Sequence, residues 1–269
     1  MSPSLSFLKL VPTMQEPGCP ICHIRNECER RYLDNLLLEH VNDGETRDNI
    51  IASLGYCDKH TWEMGLLDLA TYKVAVKNSM IYEYLVKSTL HHLIKYRQKE
   101  ESREKGINGW FLRLFRKKLP VAFEQEPFAP MIVKGCYVCQ VGEQYENYYL
   151  YSLIEGFGDE SNEIREAYLS SEGLCLSHFR KAFSFGNPKL SNELGFLVEA
   201  TIQKMDSLGD DLTNFIYKQA WDPRRKGGLD GEHIPWVRAL RFFGSNEENL
   251  LCEPWASIGL RKEPMATSK

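Results

Sequence analysis

Four short motifs carry most of the chemistry that this 269-residue chain could do. "PGCPICH" (17–23) supplies Cys19 and Cys22, and "GYCDKH" (55–60) supplies Cys57 and His60. "CYVC" (136–139) supplies Cys136 and Cys139, and "GLCLSH" (173–178) supplies Cys175 and His178. Each half of the chain thus carries a Cys-x-x-Cys pair followed by a Cys-x-x-His pair, with 34 residues between the pairs in the first half and 35 in the second. Three thiolates and one imidazole match the soft and borderline donors of a tetrahedral zinc site, and four protein ligands leave no position open for water or substrate.

The flanking residues repeat with the motifs. A shift of 117 lays Glu29 on Glu146, Tyr32 on Tyr149, Leu33 on Leu150 and Leu36 on Leu153. A shift of 118 lays "RDNIIASLGYCDKH" on "REAYLSSEGLCLSH", with Arg47, Ser53, Gly55, Cys57 and His60 meeting identical partners. The chain reads as an internal duplication. This bears on His23, because Cys19, Cys22 and His23 also spell the Cys-x-x-Cys-His form used to attach a c-type haem. His23 overlays Gln140 and Cys28 overlays Tyr145, so neither belongs to the repeated set. The expected metal ligands are Cys19, Cys22, Cys57, His60, Cys136, Cys139, Cys175 and His178.

Other chemistries remain open for these residues. A Cys3His set can hold an iron–sulfur cluster, and a Cys-x-x-Cys pair can act as a metal-free redox dithiol. The dithiol reading needs a βαβ context, which the helical flanks do not provide. Two ways of pairing the motifs are also possible. Each half can close its own site, or Cys19 and Cys22 can meet Cys175 and His178 across the halves. The expectation is pairing within each half, because a helical hairpin between the motifs would return the second pair to the first.

The elements that must position these ligands read as all-α. Apolar residues at Ile24, Cys28, Tyr32, Leu33, Leu36, Leu37 and Val41 recur at helical spacing over 24–42. "NDGE" (42–45) marks a turn, and 46–54 returns as a shorter helix ending at Gly55, taken as its C′ residue. The second half predicts helices near 140–155 and 161–172 around "GFGDES". A long helix follows each His. Over 71–98 the expected seam is Ala75, Ser79, Tyr82, Val86, Leu90 and Leu93; over 189–220 it runs from Leu194 through Val198, Thr201, Met205, Leu208 and Leu212 to Phe215. No run of period-2 strands is present. Four segments follow: a first helical repeat (1–105), a basic amphipathic linker (106–133), a second repeat (134–222), and a C-terminal closing helix and tail (223–269), in which Trp236, Leu240 and Phe243 are expected to close the core.

Composition narrows the function classes. Hydrophobic residues make up 43% of the chain and charged residues 26%, an ordinary globular balance. Net charge is −4, which gives no global footprint for nucleic acid. The start has no sustained apolar run and is broken by Pro12 and Pro17, and no stretch approaches the ~20 apolar residues of a membrane span. The expected location is the cytoplasm, where paired cysteines serve as metal ligands or redox groups rather than disulfides. In the linker, Trp110, Phe111, Leu114 and Phe115 face away from Arg113, Arg116, Lys117 and Lys118. Such a segment packs on its own bundle, docks to a protein or lies on an anionic membrane surface through Trp110, Phe111 and Phe115. Cys28 reads as a core residue, Cys252 as a packed thiol, and His40, His91, His92 and His233 as non-ligands. No phosphate loop, His-Glu-x-x-His or Gly-x-Ser-x-Gly motif is present, so no catalytic residue is nominated.

"CPIC" then "GYCDKH", "CYVC" then "GLCLSH", a long helix and "PWVRALRFFG" together resemble an uncharacterised bacterial family, domain of unknown function 6062, over roughly residues 15–245. The resemblance implies a prokaryotic cytoplasmic protein with two Cys-rich metal-binding repeats and brings no established activity. The reading that follows is an all-helical, metal-binding interaction or adaptor protein with an unidentified protein partner. A redox or zinc-dependent enzyme is the alternative, and a membrane-surface adaptor acting through 109–119 is a third.

Overall fold

A computed structural model describes residues 6–106, 135–158, 163–221 and 235–244. Among them every regular element is helical. In order these are α1 (Phe7–Met14), α2 (Pro20–Asn35) continued by a π turn (Leu36–His40), α3 (Gly44–Ala52), α4 (Asp58–Tyr72) and α5 (Val76–Gly106). Then come α6 (Tyr137–Gly156), α7 (Glu163–Ser170), α8 (Leu176–Ala182), two short 3-10 turns, α9 (Ser191–Trp221) and α10 (Pro235–Gly244). The linker residues Trp110, Phe111 and Phe115, the tail with Cys252, and His233 lie outside the described residues.

Two compact units form, Met1–Glu27 with Glu143–Lys269, and Cys28–Gly142. They do not follow the two halves of the sequence. α2 begins in the first unit and ends in the second, and α6 does the reverse.

In the unit Cys28–Gly142, the apolar stripe of α2 and the π turn buries Leu33, Leu36, Leu37 and Val41 against Ile50 of α3, Met64 and Leu67 of α4, and Ile81 and Leu85 of α5. Asp43 caps α3, its carboxylate accepting the Thr46 N–H at 2.8 Å. α3 ends in a Schellman turn: the Gly55 N–H reaches Ile50 O at 2.8 Å and the Leu54 N–H reaches Ile51 O at 3.0 Å. Leu54 (φ 51°) therefore occupies C′, and Gly55 (φ 99°) is one residue further out than the sequence suggested. α4 was not foreseen. It carries the chain from Cys57 to Tyr72, and Lys73 in the left-handed conformation separates it from α5. Buried Asp68 of α4 accepts the Asn78 N–H at 2.8 Å and so caps α5 from outside. This reset start moves the seam of α5. Ile81 and Leu85 are buried, whereas Val86 and Leu90 are 62% and 54% exposed.

In the other unit, Phe157, at the end of α6, stacks on Tyr168 of α7 and Phe196 of α9 at centroid distances of 5.0 and 4.8 Å. α1, which the sequence reading did not nominate, packs on α7 with Leu10 and Met14 buried and Pro12 inside it. α9 buries Leu197, Ala200 and Leu208 and runs unbroken through Gly209. α10 packs on α8 and α9, but with a different face from the one expected. Val237 and Arg241 are buried, Trp236 is half-buried, and Leu240 and Phe243 are exposed. Polar partners set this rotation: Arg241 reaches Glu172 at 3.2 Å and Arg238 reaches Asp211 at 2.8 Å.

The seam of α5 is directly testable. Leu85→Ala should cost about 2–5 kcal/mol of stability in urea denaturation, and Leu90→Ala less than about 0.5 kcal/mol. Equal costs would restore the seam read from sequence.

Candidate metal centres

Each ligand pair sits at the start of a helix. Cys19 immediately precedes α2 and Cys136 immediately precedes α6, with Cys22 and Cys139 in the first turns. Cys57 and Cys175 occupy the N-cap positions of α4 and α8, with matching extended backbone (φ −66°, ψ 167° and φ −69°, ψ 163°). That places His60 and His178 one turn inside, on the same side as their cysteines. Gly55 and Gly173, each two residues before the N-cap cysteine, take positive φ (99° and 84°), which lets the chain turn from the preceding helix into the ligand pair.

The structure gathers all eight expected ligands into two quartets, but not as expected. Cys19, Cys22, Cys175 and His178 form one, and Cys57, His60, Cys136 and Cys139 the other; within each, all ligand atoms lie within 4.8 Å of one another. The pairing is thus across the halves of the sequence, and the within-half expectation is overturned. Helix lengths give the reason. α2 with its π turn runs out for about 30 Å at 1.5 Å per residue, while the nine residues of α3 return only about 14 Å. The return is much the shorter arm, and Cys57 falls in a different quartet from Cys19. The second half has the same imbalance between α6 and α7.

The spacing fits a single ion. Bonds of about 2.3 Å to sulfur and about 2.0–2.1 Å to nitrogen set tetrahedral edges of about 3.8 Å between sulfurs and about 3.6 Å between sulfur and nitrogen. In the first quartet, His178 Nδ1 lies 3.4, 3.4 and 3.1 Å from the Sγ atoms of Cys19, Cys22 and Cys175, and Cys22 Sγ lies 3.7 Å from Cys175 Sγ. In the second, His60 Nδ1 lies 3.2, 3.5 and 3.3 Å from Cys57, Cys136 and Cys139, and Cys57 Sγ lies 3.6 Å from Cys139 Sγ.

Behind each imidazole stands a buried glutamate. His60 Nε2 is 3.0 Å from Glu29 Oε2, and His178 Nε2 is 3.3 Å from Glu146 Oε1. An ionised carboxylate only accepts, so Nε2–H donates to it and Nδ1 is the ring atom that faces the three sulfurs. A carboxylate in this role fixes the ring and raises its basicity as a ligand. Sequence reasoning aligned Glu29 with Glu146 but gave them no role; their identity in both halves was the available signal. Lys59 reaches Glu29 at 2.7 Å, while Arg25 and Lys181 each reach Glu146 at 2.6 Å. Although burial opposes its charged form, Glu146 is held down to about 2 by hydrogen bonds from His178 and Lys181 and by Arg25.

Proton affinities within each quartet diverge. Burial pushes the Cys19 thiol well up, while hydrogen bonds from Cys19 and Cys22, and then from His178, drive Cys175 far down. Burial disfavours the charged His178 ring, yet hydrogen bonds to Cys175, Cys22 and Glu146 lift it to about 11. In the second quartet burial and a hydrogen bond with Cys57 raise Cys139 to about 12. Burial would also raise Cys136, but hydrogen bonds from His60 and from the Cys57 and Cys139 N–H groups bring it down to about 6. Burial likewise opposes charge on His60, and bonds to Cys136 and Glu29 raise it to about 10. Each quartet therefore sets one thiol of lowered proton affinity, Cys175 or Cys136, beside a ring that holds its proton more strongly, and a divalent cation binds by displacing protons from such a set.

His23 is outside both quartets; its Nε2–H donates to Pro17 O at 2.8 Å. Cys28 is half-buried rather than in the core, His40 and His91 are exposed, His92 is half-buried, and none joins a quartet. Among the described residues no helix is long and apolar enough to cross a membrane.

A family of unknown function, DUF6062, matches residues 8–227. The chain belongs to that family. It is also 28% identical over 83 residues, 31% of its length, to the "Uncharacterized 23.9 kDa protein in xynA 3'region" of Caldicellulosiruptor sp. (strain Rt8B.4). The match covers 38% of that relative. No solved structure matches the chain.

Glu29→Gln keeps the size of the side chain but loses its charge. It should weaken binding of added zinc at the second quartet by about 10–100-fold in competition with a chelator, and leave the first quartet unchanged.

Proposed function

We propose that each quartet holds one zinc ion as a structural cross-link, and that the protein is a cytoplasmic, non-enzymatic interaction or adaptor protein. The observation that carries this reading is the closed Cys3His set at tetrahedral spacing, twice, with each imidazole oriented by a buried carboxylate. A closed shell leaves the ion no position for a substrate. Three thiolates and a dication sum to −1, and each quartet lies where two helices begin, α2 and α8 or α4 and α6. The positive ends of both dipoles favour that charge. When bound, zinc supplies folding free energy on the order of 10 kcal/mol per site. The recurrence of a long helix, a short helix, a helix opening on Cys-x-x-His and a 31-residue helix supports a tandem duplication as the origin of both sites. Thiolate ligands persist in a reducing compartment, which supports the cytoplasm.

An interaction role is supported by α4, whose Trp62, Leu66 and Leu69 are 67%, 52% and 51% exposed at i, i+4 and i+7. That is an apolar stripe on a helix anchored by His60, and it suits a protein partner.

Metal analysis of protein purified without oxygen should find two zinc per chain; iron with sulfide would favour the cluster reading. Chelation should release the zinc and lower helical circular dichroism, and an unchanged melting curve would refute the structural role. The pairing has its own test. Cys22→Ser with Cys175→Ser should remove one equivalent of zinc, and Cys22→Ser with Cys57→Ser should remove both. The reverse result would mean that each half closes its own site.

A further inference from the structure

The two quartets share a ligand set but differ in surroundings. In the first, Cys19, Cys22, Cys175 and His178 are 2%, 6%, 2% and 6% exposed. In the second only His60 is buried, and Cys57, Cys136 and Cys139 are all partly open to solvent. The carboxylates behind the rings also have different neighbours: Arg25 and Lys181 reach Glu146 of the first centre, and Lys59 reaches Glu29 of the second.

The sequence register differs beside the two centres. Arg25 corresponds to Gly142, where an added Cβ would stand 2.7 Å from Glu29 Cγ, so any side chain there would push Glu29 from its place. Lys181 corresponds to Glu63, a carboxylate that burial and the nearby charge of Glu29 make harder to ionise, against the pull of Lys59, His60 and exposed Arg30. Thiolate character and exposure set susceptibility to oxidation, and the two centres differ in exposure.

Resting on the zinc reading above, we infer that Cys57, His60, Cys136 and Cys139 form a peroxide-reactive zinc–thiolate site, in which Cys57 and Cys139 join as a disulfide and the ion leaves. Their Sγ atoms lie 3.6 Å apart. The Cys22 and Cys175 sulfurs are nearly as close, at 3.7 Å, so access, not proximity, chooses between the centres. One thiolate attacks a peroxide oxygen and the O–O bond breaks, leaving a sulfenic acid and hydroxide. The second thiolate attacks that sulfur, the S–S bond forms and a second hydroxide departs. Two sulfurs lose two electrons and hydrogen peroxide gains them; two protons from solvent make two waters. Zinc, left with Cys136 and His60, dissociates. The Cys19 quartet stays closed and keeps its unit anchored. The new bond would tie the N-terminus of α4, the helix that bears Trp62, to the first turn of α6 without a metal.

The test uses the full-length wild-type chain, zinc-loaded and handled without oxygen, then treated with increasing hydrogen peroxide. A chromophoric chelator follows released zinc, and mass spectrometry maps the disulfides. The expected result is a first phase that releases one of two equivalents with a Cys57–Cys139 disulfide, while Cys19, Cys22 and Cys175 remain unmodified. Release of both equivalents together, or a first disulfide anywhere else, would overturn the inference. Zinc content before treatment separates the two claims. If none is bound, the zinc reading fails alone, and the disulfide map of the metal-free chain still decides which pair reacts first.

Discussion

Everything in this protein turns on helix starts being brought together in pairs. A helix start offers unpaired N–H groups and a partial positive charge, and here each one presents cysteine. Cys19 and Cys22 at α2 meet Cys175 and His178 at α8, and Cys136 and Cys139 at α6 meet Cys57 and His60 at α4. Like-charged thiolates repel, so such a meeting is stable only around a shared cation or with protons retained, and the divergent proton affinities within each quartet express that conflict. Glu29 and Glu146 complete the arrangement by leaving each ring only one useful orientation.

The eight residues of the two quartets were legible in the sequence because metal chemistry tolerates few residue types and the chain states the motif twice. Helix content was legible too, since the stripe from Ile24 to Val41 and the run from Leu194 to Phe215 keep their periodicity. Partner choice was not. Spacing alone treats a hairpin as closed whenever it turns, while the real limit is the mismatch between a 21-residue outward run and a 9-residue return. Errors of register came from polar anchors that hydrophobic periodicity does not see. Asp68 fixes where α5 begins, and Arg241 turns α10 so that Val237, not Leu240, faces inward. α1 was not nominated from sequence, and it forms with Pro12 inside it.

Between the repeated motifs, the departures from symmetry are as informative as the identities. Arg25 against Gly142 and Lys181 against Glu63 leave all eight cysteines and histidines of the quartets in place and change only what stands beside them.

Crossing the ligand pairs also nests one closed loop inside another. The span from Cys57 to Cys139 lies wholly within the span from Cys19 to His178. On a ribosome the inner ring is complete once residue 139 has emerged. The outer ring waits for residue 178, a delay of a few seconds at roughly 5–20 residues per second. Cys19 and Cys22, made first, are therefore the last to find their partners, so the leading end of the nascent chain travels with two unclaimed thiols until the second half is nearly made.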